Sequence, residues 1–152
     1  MIATLTALVL CFAPPFEAVV VSVYDGDTIT VRTDETIKIR LYGIDSPELK
    51  QPFGQVSKQA LSKLVFGKNV TIKPDKRDRY GRTIARVVSD GRDVSMQMVE
   101  TGMAHWYQQY AKHDTELQSA QTKAKSTKLG VWSAPDTIVP WEYRKQKKAA
   151  TK

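Results

Sequence analysis

Cysteine occurs once in this 152-residue chain, as Cys11, and histidine twice, as His105 and His113. A lone thiol excludes an intramolecular disulfide framework and any multi-cysteine zinc site. Two histidines are too few for most His-based zinc sites and argue against nucleases built around histidine clusters. Acidic side chains are also in deficit, 16 against 23 basic ones, which leaves a formal net charge of +7. That balance favours a polyanionic partner: nucleic acid first, an anionic membrane or heparin-like polymer second. Long apolar runs are missing too, apart from Met1 to Phe16, which carries no charged side chain. That run is too short for a comfortable membrane span and sits where a secretory leader would sit. A signal peptide is therefore expected over residues 1–16, although it lacks the usual basic start; the alternative is an ordered N-terminal strand. Leu10 is the wrong size for a lipobox before Cys11.

What remains is one domain of a size that can bury a real core. Ala18 to Tyr24 is apolar and β-branched, and Asp25-Gly26 punctuates it. Thr28 to Arg32 and Thr36 to Leu41 alternate apolar and polar, and the short link between them implies a hairpin. A helix is predicted over Gln55–Phe66, with Val56, Ala60, Leu61, Leu64 and Val65 on one face and Gly67 as its stop. Val70–Lys73 and Ile84–Val88 are two further strands around a charged loop, Asp75 to Arg82. Helices follow over Val94–Thr101, ended by Gly102, and over Asp114–Lys128, with Asp114 as N-cap. The expected fold is α+β, a five-stranded OB-fold-like antiparallel β-barrel with about three helices. Residues 17–133 form the expected domain, and residues 134–152, with Pro135 and Pro140, a solvated basic C-terminal extension.

The chemistry lies in three short segments: Asp25-Gly26-Asp27-Thr28, then Arg40 leading into Asp45-Ser46-Pro47-Glu48, then Asp78-Arg79-Tyr80-Gly81-Arg82. Taken singly, each has an ordinary explanation, since Asp-Gly is a common turn dipeptide and an arginine on an alternating strand faces solvent. Taken together they gather hard oxygen donors, suited to a divalent cation, and guanidinium forks, suited to a phosphate. Both acidic turns fall at the ends of neighbouring strands, so a meander of this length can bring them together.

This set, in this order, resembles the thermonuclease (staphylococcal nuclease) family over nearly all of Val19 to Trp132. The motifs are Asp-Gly-Asp-Thr, Arg40-Leu41-Tyr42-Gly43-Ile44-Asp45-Ser46-Pro47-Glu48, and Asp78-Arg79-Tyr80-Gly81-Arg82. The run Pro140-Trp141-Glu142-Tyr143-Arg144 is similar to the bacterial secreted or plasmid-borne branch. The resemblance implies that Asp27, Asp45 and the Ser46 carbonyl hold Ca2+, with Asp25 nearby. It implies that Glu48 is the acid beside the attacking water and that Arg40 and Arg82 grip the scissile phosphate. Arg79 and Tyr80 match positions near the terminal phosphate of the bound nucleotide. After Gly102 the chain departs from the family's spacing of base-stacking tyrosines. Tyr107 and Tyr110 both remain open for that role, with Tyr107 taken as the candidate substrate contact. Trp106, Trp132 and Trp141 are expected to pack, and His105 and His113 to be surface or hydrogen-bonded residues without a catalytic part.

The implied activity is a calcium-dependent, sugar-nonspecific endonuclease acting on DNA and RNA, with single-stranded or frayed duplex preferred and 3′-phosphate ends left. The protein would be secreted or periplasmic, free of the membrane after leader removal, and a monomer. The alternative is a catalytically silent OB-fold nucleic-acid-binding module. Such modules lose the acids or arginines, and here all are present. A basic surface-adhesion protein would leave the acid–arginine set without a purpose.

Overall fold

The computed structural model describes residues 13–151. Most of the expected leader, residues 1–12, lies outside the described residues, and Phe16 already opens the first strand. Five principal strands form the barrel: β1 (Phe16–Val23), β2 (Thr28–Arg32), β3 (Thr36–Leu41), β5 (Asn69–Arg77) and β6 (Thr83–Ser89). The two-residue strands β4 (Ile44–Asp45) and β8 (His105–Trp106) pair as a separate ribbon, and β7 (Arg92–Asp93) pairs antiparallel with the end of β6. The helices are α1 (Gly54–Val65), α2 (Val94–Glu100), α3 (Thr115–Ser126) and α4 (Pro140–Ala150), with a 3₁₀ turn at Gly130–Ser133. No described helix is long and apolar enough to cross a membrane.

Period-two alternation puts Ala18, Val20, Ile29, Val31, Ile39, Leu41, Val70, Ile72, Ala85 and Val87 inside the barrel, none more than 3% exposed. The antiparallel registers, Val20 with Val31 and Ile29 with Ile39, keep that set on one face. Burial of each large aliphatic side chain stabilises the fold by roughly 2 kcal/mol. Two bulges curve the sheet, one in β1 between Val20 and Ser22 and one in β5 between Pro74 and Lys76. The second lies where Pro74, which has no N–H to give the ladder, would otherwise break it.

This is the OB-like α+β barrel that the sequence implies, with several corrections. The closing ladder is parallel, with Arg40 of β3 opposite Ile84 of β6, so the barrel is mixed and not wholly antiparallel. β5 runs on through Arg77, which shortens the expected charged loop to Asp78–Arg82. In α1 the buried positions are Gly54, Ser57, Leu61 and Val65, while Val56 is exposed. Ser57 takes an inward place because its hydroxyl donates to the Met103 carbonyl. The fourth helix, α4, replaces the expected solvated extension. Pro140 starts it instead of breaking it, since its fixed φ and missing N–H suit the first helical position. Glu142 in the first turn and Lys147 and Lys148 in the last complement the helix dipole.

Candidate active site

Local geometry at the ends of β2 and β3 assembles the acidic cluster. Thr28 pairs with Arg40 across the β2–β3 ladder, and the Leu41 N–H donates to the Asp27 carbonyl at 2.8 Å. Beyond Leu41 the chain turns through Gly43, at φ 73°, and enters β4, which carries Asp45 back toward Asp27. The turn residue Gly26 must be small, because an added Cβ would stand 2.7 Å from the Ser46 Cβ.

Asp27, Asp45, Ser46 and Arg40 meet as the sequence suggests. Arg40 lies opposite the inward Ile39 and Leu41, with Nε 3.3 Å from Asp27 Oδ1 and Nη2 3.2 Å from Asp45 Oδ1. Its Nη1 donates to the Ile44 carbonyl at 2.8 Å, which fixes the guanidinium plane. Ser46 is tied to Asp27 through its N–H and its hydroxyl, both donating to Oδ2 at 2.7 and 2.9 Å. The Thr28 hydroxyl donates to Oδ1 at 2.9 Å. Asp25 completes the turn by accepting from the Asp27 N–H at 3.1 Å.

The electrostatics follow from these contacts. Burial works against ionising Asp27, but Arg40 and the donors on Ser46 and Thr28 hold its carboxyl below the usual range. For Asp25 the Asp27 N–H and the Arg40 charge are outweighed, and burial and the charge of Asp27 push it up to about 7. Burial also raises Asp45, with the Asp27 charge adding to it, while Arg144 and Arg40 oppose the rise. Crowded carboxylates with raised proton affinity are ones that a cation would relieve.

Glu48 lies on the loop between β4 and α1. Its N–H donates to Gln51 Oε1 at 3.1 Å, and its carbonyl accepts from the Gln51 N–H at 2.8 Å. Gly54 packs directly under this turn, where any Cβ would overlap the Glu48 carbonyl oxygen. The second arginine, Arg82, is held apart from the acidic cluster: its Nε donates to Asp78 Oδ2 at 2.7 Å. It immediately precedes Thr83, which pairs with Ile39, so it lies two residues before Ile84, the partner of Arg40 across the parallel ladder. Against burial, the Arg82 guanidinium and the N–H groups of Arg82 and Tyr80 hold the Asp78 carboxyl below its ordinary range. Tyr80 is 68% exposed, and its ring lies 4.9 Å from the Arg79 guanidinium and 5.5 Å from that of Arg82.

Tyr107 is the tyrosine nearer the carboxylates: burial and then the Asp45 charge raise its phenol pKa. Its ring lies 4.8 Å from Tyr110 and 5.3 Å from Trp141, and its hydroxyl donates to Gln109. Tyr110 is exposed, with Lys76 over its ring at 5.6 Å. Trp106 packs in the core as expected, its Nε1–H on the Ala111 carbonyl at 2.9 Å. His105 differs from expectation. It is 1% exposed, lies 4.9 Å from Trp132, and both ring nitrogens lack a hydrogen-bond partner among the described residues.

One residue in this cluster was not anticipated from the sequence. Arg144, from α4, donates from Nη2 to Asp45 Oδ2 at 2.7 Å and from Nη1 to Glu48 Oε1 at 2.8 Å and Asp45 Oδ1 at 3.2 Å.

Two buried carboxylates without nitrogen or sulfur donors suit a hard divalent ion in chemical kind. Among the described residues, no three His, Cys, Asp or Glu side chains surround one point. A cation here would rest on Asp27 and Asp45, with carbonyl, water or phosphate oxygens filling its other positions.

A mixed OB-like barrel carrying a cluster of buried acids bound by arginines suits a phosphodiester-processing domain, and comparison with known proteins identifies it. A family model described as staphylococcal nuclease homologue matches residues 38–134. An uncharacterized endonuclease of Haemophilus influenzae is 41% identical over 145 residues, covering 94% of this chain and 81% of that protein. An uncharacterized endonuclease of Escherichia coli O157:H7 is 43% identical over 130 residues, 84% of each chain. A micrococcal nuclease of Shigella flexneri is 35% identical over 164 aligned positions, covering 98% of this chain and 94% of that one. The chain belongs to the staphylococcal nuclease family, and it is a nuclease of the hydrolase class.

Proposed function

We propose that the protein is a calcium-dependent, sugar-nonspecific endonuclease that cuts DNA and RNA and leaves 3′-phosphate ends. The observation that supports this reading most directly is the convergence of Asp27 and Asp45 on Arg40, within 3.3 Å, beside Glu48. Asp27, Asp45 and the Ser46 carbonyl would hold the ion, which when bound supplies Lewis-acid polarisation of a phosphate oxygen. Calcium fits the oxygen donors better than a metal that prefers nitrogen or sulfur.

Glu48 takes a proton from a water molecule positioned in line with the P–O5′ bond. The water oxygen joins phosphorus, the P–O5′ bond breaks, and the 5′-oxygen leaves with a proton drawn from solvent. Arg40 and Arg82 donate to the equatorial oxygens, where negative charge grows, and such donors are worth most in the transition state. Arg79 and the exposed Tyr80, beside Arg82, would meet a terminal phosphate. Tyr107 offers an aromatic face to a splayed base, so unpaired or frayed strands enter more easily than intact duplex. None of these groups reads a base edge or the ribose 2′-hydroxyl, which fits action on both polymers.

A leader that ends before Phe16, shorter than the expected residues 1–16, fits export to the periplasm or medium. Since Phe16 pairs with Ile72 in the barrel, cleavage after residue 15 at the latest leaves β1 whole. The protein would then act as a monomer away from the membrane.

End-group analysis tests the reaction. Products of single-stranded DNA and RNA should accept a labelled 5′-phosphate from a kinase without prior phosphatase treatment. Products that need phosphatase first would place the cut on the other side of phosphorus and overturn the assignment of the leaving group.

A further inference from the structure

We propose that Arg144 is a positioning residue of the hydrolytic site, which makes α4 a working part of the enzyme. The inference rests on the nuclease reading above and adds to it a residue outside the matched span of 38–134.

Glu48 sits on a loop with its carboxylate 40% exposed, and a free carboxylate there would sample several rotamers. Among the described residues, its one side-chain partner is Arg144, at 2.8 Å. The same guanidinium grips Asp45 as a two-pronged fork, Nη1 on Oδ1 and Nη2 on Oδ2. A planar fork can fix two carboxylates relative to each other, which a single ammonium cannot. Arg144 therefore sets the distance between the proton-accepting carboxylate and the ion-holding one.

The segment around it is built to hold the guanidinium in place. Gln51, whose side chain also caps the Glu48 N–H, donates from Nε2 to the Ile138 carbonyl at 2.5 Å. Trp141 packs on Tyr107 at 5.3 Å and on His105 at 6.0 Å. The loop that carries Glu48 is thus tied through Gln51 to the segment before α4, and α4 itself is anchored through Trp141 on Tyr107 and His105.

A second consequence separates this role from simple support of the fold. Arg144 and Arg40 together occupy Asp45 from both oxygens, so Arg144 is a positive charge that an incoming divalent ion must tolerate. Removing it should slow turnover while tightening ion binding. Loss of fold would weaken both.

The test uses the full mature chain with Arg144→Ala, Arg144→Lys and, as a charge-matched control, Lys148→Ala on the exposed part of the same helix. Turnover and KM on a single-stranded oligonucleotide, calcium binding by calorimetry without nucleic acid, and thermal melting are measured for each. Arg144→Ala should lose about tenfold to a hundredfold in kcat, with KM within about threefold and calcium bound several-fold more tightly. Arg144→Lys should recover part of the loss, and Lys148→Ala should match the parent within about twofold. Parental kcat in Arg144→Ala overturns the inference. So does a kcat loss accompanied by weaker calcium binding and a lowered melting point, which would make Arg144 structural. An inactive parent protein in every divalent ion would instead remove the nuclease reading itself, and the inference with it.

Discussion

Glu48 and Arg82 are held in different ways, and the difference sets what each substitution should do. Glu48 lies on a loop, half-exposed, with its carboxylate held from α4, so its side chain contributes little to the core. Glu48→Ala should therefore cut kcat by about 10²–10⁴, the usual worth of a positioned proton acceptor, and leave the melting temperature nearly unchanged. Parental turnover in that variant would remove Glu48 from the mechanism. Arg82 is paired with Asp78 and stacked on Tyr80 before substrate arrives. On the proposed mechanism its value lies in charge that appears only in the transition state, so Arg82→Ala should lower kcat more than it raises KM. Steady-state kinetics on one oligonucleotide decides this, and a raised KM with unchanged kcat would contradict it. The acids and Arg40 could be found in the sequence because each occupies a local signal: a turn dipeptide, or an outward place on an alternating strand. Arg144 could not, because it sits in a run of basic residues and its partners lie 96 and 99 positions away.

The strands and first three helices were readable for the same local reason: period two, helical spacing, and Gly67 and Gly102 as stops. Two elements were not. The parallel pairing of β3 with β6 joins segments separated by α1 and β5, and no local pattern announces it. α4 was concealed by Pro140, which breaks a helix interior but begins one readily. The short ribbon of β4 and β8 carries a testable property of its own. The His105 ring is buried without a hydrogen-bond partner among the described residues, and desolvation lowers its pKa to about 4 from an ordinary 6.5. Between those values the unfolded chain takes up a proton that the folded chain refuses, so stability falls as pH drops from 6.5 toward 4. Above 6.5 the residue is neutral in both states and contributes no pH dependence. The full loss is about 3 kcal/mol at most, at about 1.4 kcal/mol per pKa unit. Urea midpoints for the parent and His105→Phe at pH 7, 5.5 and 4.5 isolate this contribution from that of the carboxylates. The gap between the two proteins should widen in favour of the variant as pH falls; a constant gap would show that His105 titrates normally.

At the scale of the whole molecule, a formal net charge of +7 surrounds a site whose centre is acidic. The two features act at different stages. On the proposed reading the overall charge draws in the phosphate backbone, the buried Asp27 and Asp45 hold an ion, and the half-exposed Glu48 takes up a proton. Attraction to the backbone is screened by salt and reports the number of phosphates contacted. For about three phosphate contacts, raising salt from about 50 to 200 mM should increase KM on single-stranded DNA by about twentyfold, with kcat changing far less. A KM insensitive to salt would mean that binding rests on base stacking and not on charge. The central claim is hydrolysis of both nucleic acids by a calcium-holding acid–arginine site. It is tested most directly by incubating the purified protein, starting at Ala13, with plasmid DNA and with RNA, in calcium and in chelator. The account predicts degradation of both polymers with calcium and of neither with chelator. Binding of both without cleavage, in calcium or any other divalent ion, would contradict it and leave a nucleic-acid-binding barrel whose intact acids serve another purpose.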